Sequence, residues 1–209
     1  MAPALSTLGT HQSAAAAWRF EDRLLWMAWR PACIVHGMDG RIILETERVV
    51  LREVTLADLN FVADMVGNRE VMRFWPRLLS RDEARQGLQK HLADYQRYGH
   101  GYWLAVNRQT GEPIGQAGLL MSEVEGVLHP ALGYMLHRPF WGQGYATECG
   151  AAVLKWAFEQ RDYQRVICLI RPENIPSLRV AIRLGLRPES YVVFKGFNHL
   201  VFVARRTGP

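Results

Sequence analysis

The sequence is short of lysine, of cysteine and of long apolar runs, and each shortage excludes something. Lysine occurs only as Lys90, Lys155 and Lys195, so nearly all positive charge is arginine. The arginine fork suits bidentate grip on phosphate or carboxylate. The 25 basic residues exceed the 20 acidic ones only moderately, and no basic run gathers them. That scatter does not point to nucleic acid and fits an anionic small ligand equally well. The cysteines Cys33, Cys149 and Cys168 are widely spaced and form no CxxC pair, which excludes a zinc knuckle and leaves no metal site to expect. Cys149 and Cys168 lie inside apolar patterns and read as small core residues. A reducing cytoplasm is the simplest compartment for them. No stretch of roughly 18 apolar residues is present, so no membrane span is expected. The N-terminus lacks a basic region leading into an unbroken apolar core, unlike a signal peptide.

What is present is ordinary for a globular chain: 209 residues, 49% hydrophobic and 22% charged. Such a chain buries about 70% of its unfolded surface without staples. Residues 1–40 differ from the rest. Ala14 to Arg30 has helical character, with Trp18, Leu25 and Trp29 near one face, and Pro31 ends it. This extension reads either as an amphipathic arm or as a marginal segment preceding a unit that starts near Met38.

From Arg41 the pattern is dense. Val49–Arg52 reads as a strand. Thr55 to Asp58 resembles a capping box before a helix carrying Leu59, Val62, Ala63 and Val66. Ser80 to Glu83 is a full capping box, and its helix stops at Gly99. Apolar runs follow at Tyr102–Val106, Ile114–Met121 and Leu132–Leu136, the first two joined by a Gln109–Pro113 turn. Tyr145–Phe158 is helical, Val166–Ile170 is a buried strand, and Ser177–Leu184 is a helix with Pro176 ahead and Gly185 behind. Tyr191–Phe194 and Leu200–Ala204 close the chain as strands. The order is β-α-α-β-β-β-α-β-α-β-β around one sheet.

The most informative stretch runs from Leu132 to Glu148. A strand ends near Leu136, and Trp141-Gly-Gln-Gly144-Tyr-Ala146 opens a helix. A helix start has unpaired N–H groups and a partial positive charge, and small residues there let a diphosphate approach the backbone. A dinucleotide fold would need its glycines after an early strand, with an acid about 20 residues on; here the turn comes late. Further along, Asn174-Ile-Pro-Ser177 sits between an apolar strand and a helix. Taken alone, Asn174 is a helix cap and Ser177 a first-turn residue.

In combination, "WGQGYATE" and "ENIPSLRVAIRLGL" resemble the Gcn5-related N-acetyltransferase (GNAT) superfamily, and within it the RimJ/RimL-like branch, over about residues 41–205. Phe74-Trp-Pro76 and the "TGEPIGQAGL" hairpin add to the likeness. The resemblance implies a single α/β (α+β) domain over residues 41–209. It would hold a mostly antiparallel mixed sheet of about seven strands, splayed at the middle, and about four flanking helices, after the N-terminal helical extension. It implies an acetyl-CoA-dependent N-acetyltransferase that moves the acetyl group directly to a primary amine in a ternary complex, as monomer or homodimer. The acetyl-CoA site it implies comprises Leu136, His137, Trp141, Gly142, Gln143, Gly144, Tyr145, Ala146, Thr147, Asn174 and Ser177. The catalytic roles fall on the Leu136 amide as oxyanion donor, on Asn174 for the pantetheine or a water, and on Ser177 as proton donor to the thiolate. Phe74, Trp75 and Tyr134 would wall the acceptor pocket, as would Tyr102 and Trp103.

The family's tyrosine is missing from Leu178–Leu184, and Ala131 stands where relatives often place a glutamate. The base is therefore open among Glu123, Glu125, His129, His137 and Glu189. A protein α-amine titrates near 7.7–8.0 and a lysine near 10.4, so weak base assistance favours an N-terminal or small-molecule amine. The alternative reading is an acyl-CoA-binding regulatory module without turnover.

Overall fold

The computed structural model describes residues 39–206. The helical reading of Ala14–Arg30, and Cys33, lie outside the described residues. The strands are β1 (Ile42–Glu45), β2 (Val49–Glu53), β3 (Tyr102–Asn107), β4 (Pro113–Val124), β5 (Val127–Leu136), β6 (Arg165–Ile170), β7 (Arg187–Phe194) and β8 (Phe197–Arg205). The helices are α1 (Leu59–Gly67), α2 (Arg81–Tyr98), α3 (Tyr145–Gln160) and α4 (Ile175–Arg183). The strands form one 8-stranded sheet in the order β1-β2-β3-β4-β5-β6-β8-β7. Every neighbouring pair is antiparallel except β5 and β6. The expected seven strands become eight because Ile42–Glu45, too short and half-buried to show alternation, pairs with β2 at the sheet edge.

Local chemistry sets the helix ends. Thr55 and Asp58 make the reciprocal capping box, but the turn they cap is a 3-10 turn, Leu56–Asp58, that leads into α1. Ser80 and Glu83 cap α2 in the same way, and α2 ends on Gly99 in the left-handed region. Strand alternation then sends neighbours to opposite faces. Trp103 meets Trp156 of α3 edge-on with ring centroids 5.0 Å apart, whereas adjacent Tyr102 meets His91 of α2 at 5.3 Å. So α2 covers one face and α3 the other. The core between them includes fully buried Leu51, Trp103, Leu104, Leu119 and Val153. Cys149 and Cys168 are buried in it, as the sequence pattern implies.

The feature that shapes the site is the join of β5 to β6. These parallel strands share one bridge, Ala131 to Ile167. Beyond it β5 stays paired with β4 as far as Leu136, opposite Gly115, but has no partner in β6. The sheet is therefore open along Leu132–Leu136. That opening leaves unpaired backbone N–H and C=O groups with which an extended segment can pair.

Candidate functional site

A cleft of about 440 Å³ begins at this opening. Its walls come from the segment after α1 (Glu70, Val71, Arg73, Phe74, Trp75), from the end of β5 (Tyr134, Met135, Leu136), from the turn into α3 and from α4.

The floor follows from hydrogen-bond alternation in β4–β5. The His137 amide donates to the Ile114 carbonyl at 2.9 Å, while Leu136 faces Gly115. That makes Gly115 and Leu136 a non-hydrogen-bonded pair, so the Leu136 N–H and C=O turn away from β4 toward the open edge. The Leu136 carbonyl accepts from the Trp141 indole at 2.7 Å. This bond ties the end of β5 to the glycine turn.

The turn itself needs glycine. Gly142 and Gly144 have φ of +74° and +85°, in the left-handed region that side chains avoid. Both are exposed, and a Cβ at Gly142 would meet nothing within 4 Å. Gly144 is the N-cap of α3. Among the described residues, the amides of Gly144, Tyr145 and Ala146 donate to no protein acceptor, whereas Thr147 and Glu148 already donate to the Gly144 carbonyl at 3.0 Å. A helix start with free donors on an open cleft is a place for an anion. Arg73, Arg179 and Arg183 line the same cleft and add positive charge.

Sequence reading missed what braces this turn. Glu148, one turn into α3, accepts from the Thr46 hydroxyl at 2.6 Å, the Arg48 amide at 3.0 Å and the Arg48 Nε at 2.7 Å. Arg48 also donates to the Gln143 carbonyl at 3.1 Å, and its guanidinium lies 4.5 Å from the Tyr145 ring centroid. Burial works to raise the Glu148 carboxyl, but the bonds from Thr46 and Arg48 outweigh it and hold the group ionised. A partner about 100 residues away leaves no trace in local pattern; only the spare charges at Arg48 and Glu148 hint at it.

On α4, Asn174 is the N-cap, and its side-chain oxygen accepts from the Ser177 amide at 3.2 Å. The Ser177 carbonyl accepts from the Tyr134 hydroxyl at 3.1 Å. Ser177 lines the cleft, with its hydroxyl near the Tyr134 phenol. Burial pushes the Tyr134 phenol above its ordinary range, so it remains a hydrogen-bond donor. Nearby Cys168 is pushed up to about 12 by burial and stays a thiol.

The cleft thus brings together Leu136, Trp141, Gly142, Gly144, Tyr145, Ala146, Thr147, Asn174, Ser177, Phe74, Trp75 and Tyr134. It does not include His137 or Gln143. The His137 imidazole turns to Asp64 of α1 at 3.1 Å and lies edge-on to Phe61. The Gln143 side chain folds back onto the Pro139 carbonyl at 2.8 Å. Tyr102 and Trp103 belong to the sheet interior, with Trp103 wholly buried in the core. The candidate bases also lie elsewhere. Glu123 and Glu125 are at the β4–β5 hairpin tip, and His129 and Glu189 share Arg165 at 3.2 Å and 2.7 Å.

A family model described as "Acetyltransferase (GNAT) domain" matches residues 48–187. The chain belongs to the GNAT acetyltransferase family, whose members are acetyl-CoA-dependent N-acetyltransferases, and it is an acyltransferase of that kind. The uncharacterized protein YkkB of Bacillus subtilis (strain 168) is 31% identical over 150 residues, 71% of this chain and 87% of YkkB. A Bordetella pertussis protein placed in the GnaT acetyltransferase family is 30% identical, with a TM-score of 0.69 over 78% of this chain and 99% of that one. RimL, a ribosomal L7/L12 alpha-N-protein acetyltransferase solved in complex with coenzyme A, shares the fold. Its TM-score is 0.65 at 20% identity, over 79% of this chain and 98% of that one. No helix among the described residues is long and apolar enough to cross a membrane.

Proposed function

We propose that the cleft binds acetyl-CoA and passes its acetyl group directly to a primary amine, a protein N-terminus or a small-molecule amine, with both substrates bound at once. The observation that carries this reading is the continuity of two features in one cleft: the free amides at the start of α3 and the unpaired edge of β5. The diphosphate would lie on the amides of Gly144, Tyr145 and Ala146, with Arg48 holding the turn in shape. The pantetheine arm would run along Leu132–Leu136 as an added strand. That path brings the thioester to the Leu136 amide, which would stabilise the oxyanion of the tetrahedral intermediate. The amine nitrogen attacks the thioester carbon, the C–N bond forms, and the C–S bond then breaks. The proton left on nitrogen reaches the departing thiolate through the Ser177 hydroxyl, which lines the cleft beside the Tyr134 phenol. A thiol titrating near 8.5 makes this a modest demand.

The test is CoA release by the purified chain against a panel of amines and N-terminal peptides, beside Gly144→Glu. Wild type should release CoA with at least one acceptor. The variant should lose acetyl-CoA binding, because a carboxylate takes the anion's place on a backbone of positive φ. Tight acetyl-CoA binding with no turnover on any acceptor would overturn catalysis in favour of a binding module, and unchanged affinity in Gly144→Glu would remove the cradle.

A further inference from the structure

With Glu123, Glu125, His129, His137 and Glu189 outside the cleft, its acidic chemistry narrows to one group. Glu70 is the sole carboxylate among the described residues that line it. The other charged lining groups, Arg73, Arg179 and Arg183, are cations. They suit phosphates and repel an ammonium. An acceptor amine that arrives protonated therefore meets a favourable charge only at Glu70.

The position of Glu70 is built. The Asn68 side-chain oxygen accepts from the Glu70 amide at 2.9 Å and from the Val71 amide at 3.3 Å, fixing the turn after α1. Four residues on, the Phe74 carbonyl accepts from Arg171 at 3.2 Å. Arg171 directly follows β6, while Arg138 follows β5 and reaches Glu70. The segment 70–75 therefore roofs the opening between the two strands. Phe74 and Trp75 line the same cleft as Glu70; the Arg73 guanidinium already lies over the Phe74 ring at 4.6 Å, whereas Trp75 is 46% exposed and its ring is open. An open aromatic face with a carboxylate makes a receptor for an organic cation.

The one ion-pair partner of Glu70 among the described residues is Arg138, through Nε at 3.3 Å, and both side chains are more than half exposed. A long, solvated pair of this kind contributes little and exchanges readily. Arg138 also lies 5.0 Å from the Trp141 ring, a second resting place once Glu70 is taken.

We infer that Glu70 is the acceptor-recognition residue: it exchanges Arg138 for the ammonium of a cationic primary amine held against Trp75. The inference rests on the transfer reading above and deepens it by assigning the acceptor class. The test uses Glu70→Gln, which keeps shape and removes charge. With the fastest acceptor of the amine panel, KM should rise about tenfold, the scale of one charged hydrogen bond, while kcat changes less than threefold and acetyl-CoA affinity less than twofold. Choline and its uncharged isostere 3,3-dimethyl-1-butanol serve as inhibitors competing with the acceptor. Wild type should prefer choline about tenfold, and Glu70→Gln should lose that preference. An unchanged KM, or a choline preference that survives the substitution, overturns the inference and leaves acetyl transfer standing. If wild type turns over no amine, the transfer reading falls and this inference with it.

Discussion

Ser177 shows how one residue carries two jobs by separate atoms. Its amide and carbonyl belong to the scaffold, through Asn174 and Tyr134, while its hydroxyl lies in the cleft lining near the Tyr134 phenol. Ser177→Ala keeps the scaffold bonds and removes only the hydroxyl. Its turnover should fall about 10- to 100-fold if that group relays the proton. Acetyl-CoA affinity, read by calorimetry, should shift less than twofold. Equal turnover in the variant would take Ser177 out of the chemistry. The asparagine beside it was legible in sequence as a cap, and a cap it is. Its candidacy for the pantetheine depends on the side-chain nitrogen, because the oxygen is already engaged.

At the scale of elements, the glycine turn is held by another turn, far from it in sequence. The β1–β2 turn supplies Thr46 and Arg48, and α3 supplies Glu148. The hydrogen bond to Glu148 raises the Arg48 guanidinium further above its ordinary range, against the opposing effect of burial. Arg48→Ala removes the bond to the Gln143 carbonyl and the pair with Glu148, so the α3 turn should loosen. Acetyl-CoA should then bind about 5- to 10-fold more weakly, on the order of 1 kcal/mol. Arg48→Lys should fall between, since an ammonium keeps the charge but not the fork. Affinity equal to wild type in Arg48→Ala would show that the glycines hold the turn unaided. Sequence pattern found α3 and its glycines from local rules. It left the brace unseen because contacts across 100 residues have no period. It also began β5 at Leu132, whereas the strand starts at Val127. Pro130 hid the first half by breaking the strand pattern, although β4 pairs with that half throughout.

At the scale of the whole molecule, two buried histidines contribute to the loss of stability in acid. His91 on α2 is pushed down to about 4, chiefly by burial, and its Nδ1 is buried without a partner. His100 is lowered in the same direction, again chiefly by burial, between the Leu119 carbonyl and the Tyr163 hydroxyl. The unfolded chain therefore binds more protons than the folded one once pH falls below about 6.5, and stability drops from there toward pH 4. The loss traceable to His91 is on the order of 2 kcal/mol. Thermal melts between pH 7 and pH 4.5 should show a steeper decline in wild type than in His91→Leu. Parallel slopes would mean that His91 charges freely in the folded state.

The sequence by itself determined the local events: which segments are helices, where caps and glycines stop them, and that a small-residue turn opens α3. These depend on neighbours within a few residues, so spacing alone reveals them. Only the tertiary structure decided that β5 parts from β6, that His137 and Gln143 face away from the cleft, and that Glu70 enters it. Those outcomes depend on where the sheet twists open and on which distant side chain claims each polar group. No run of residues encodes that separately from the packed whole.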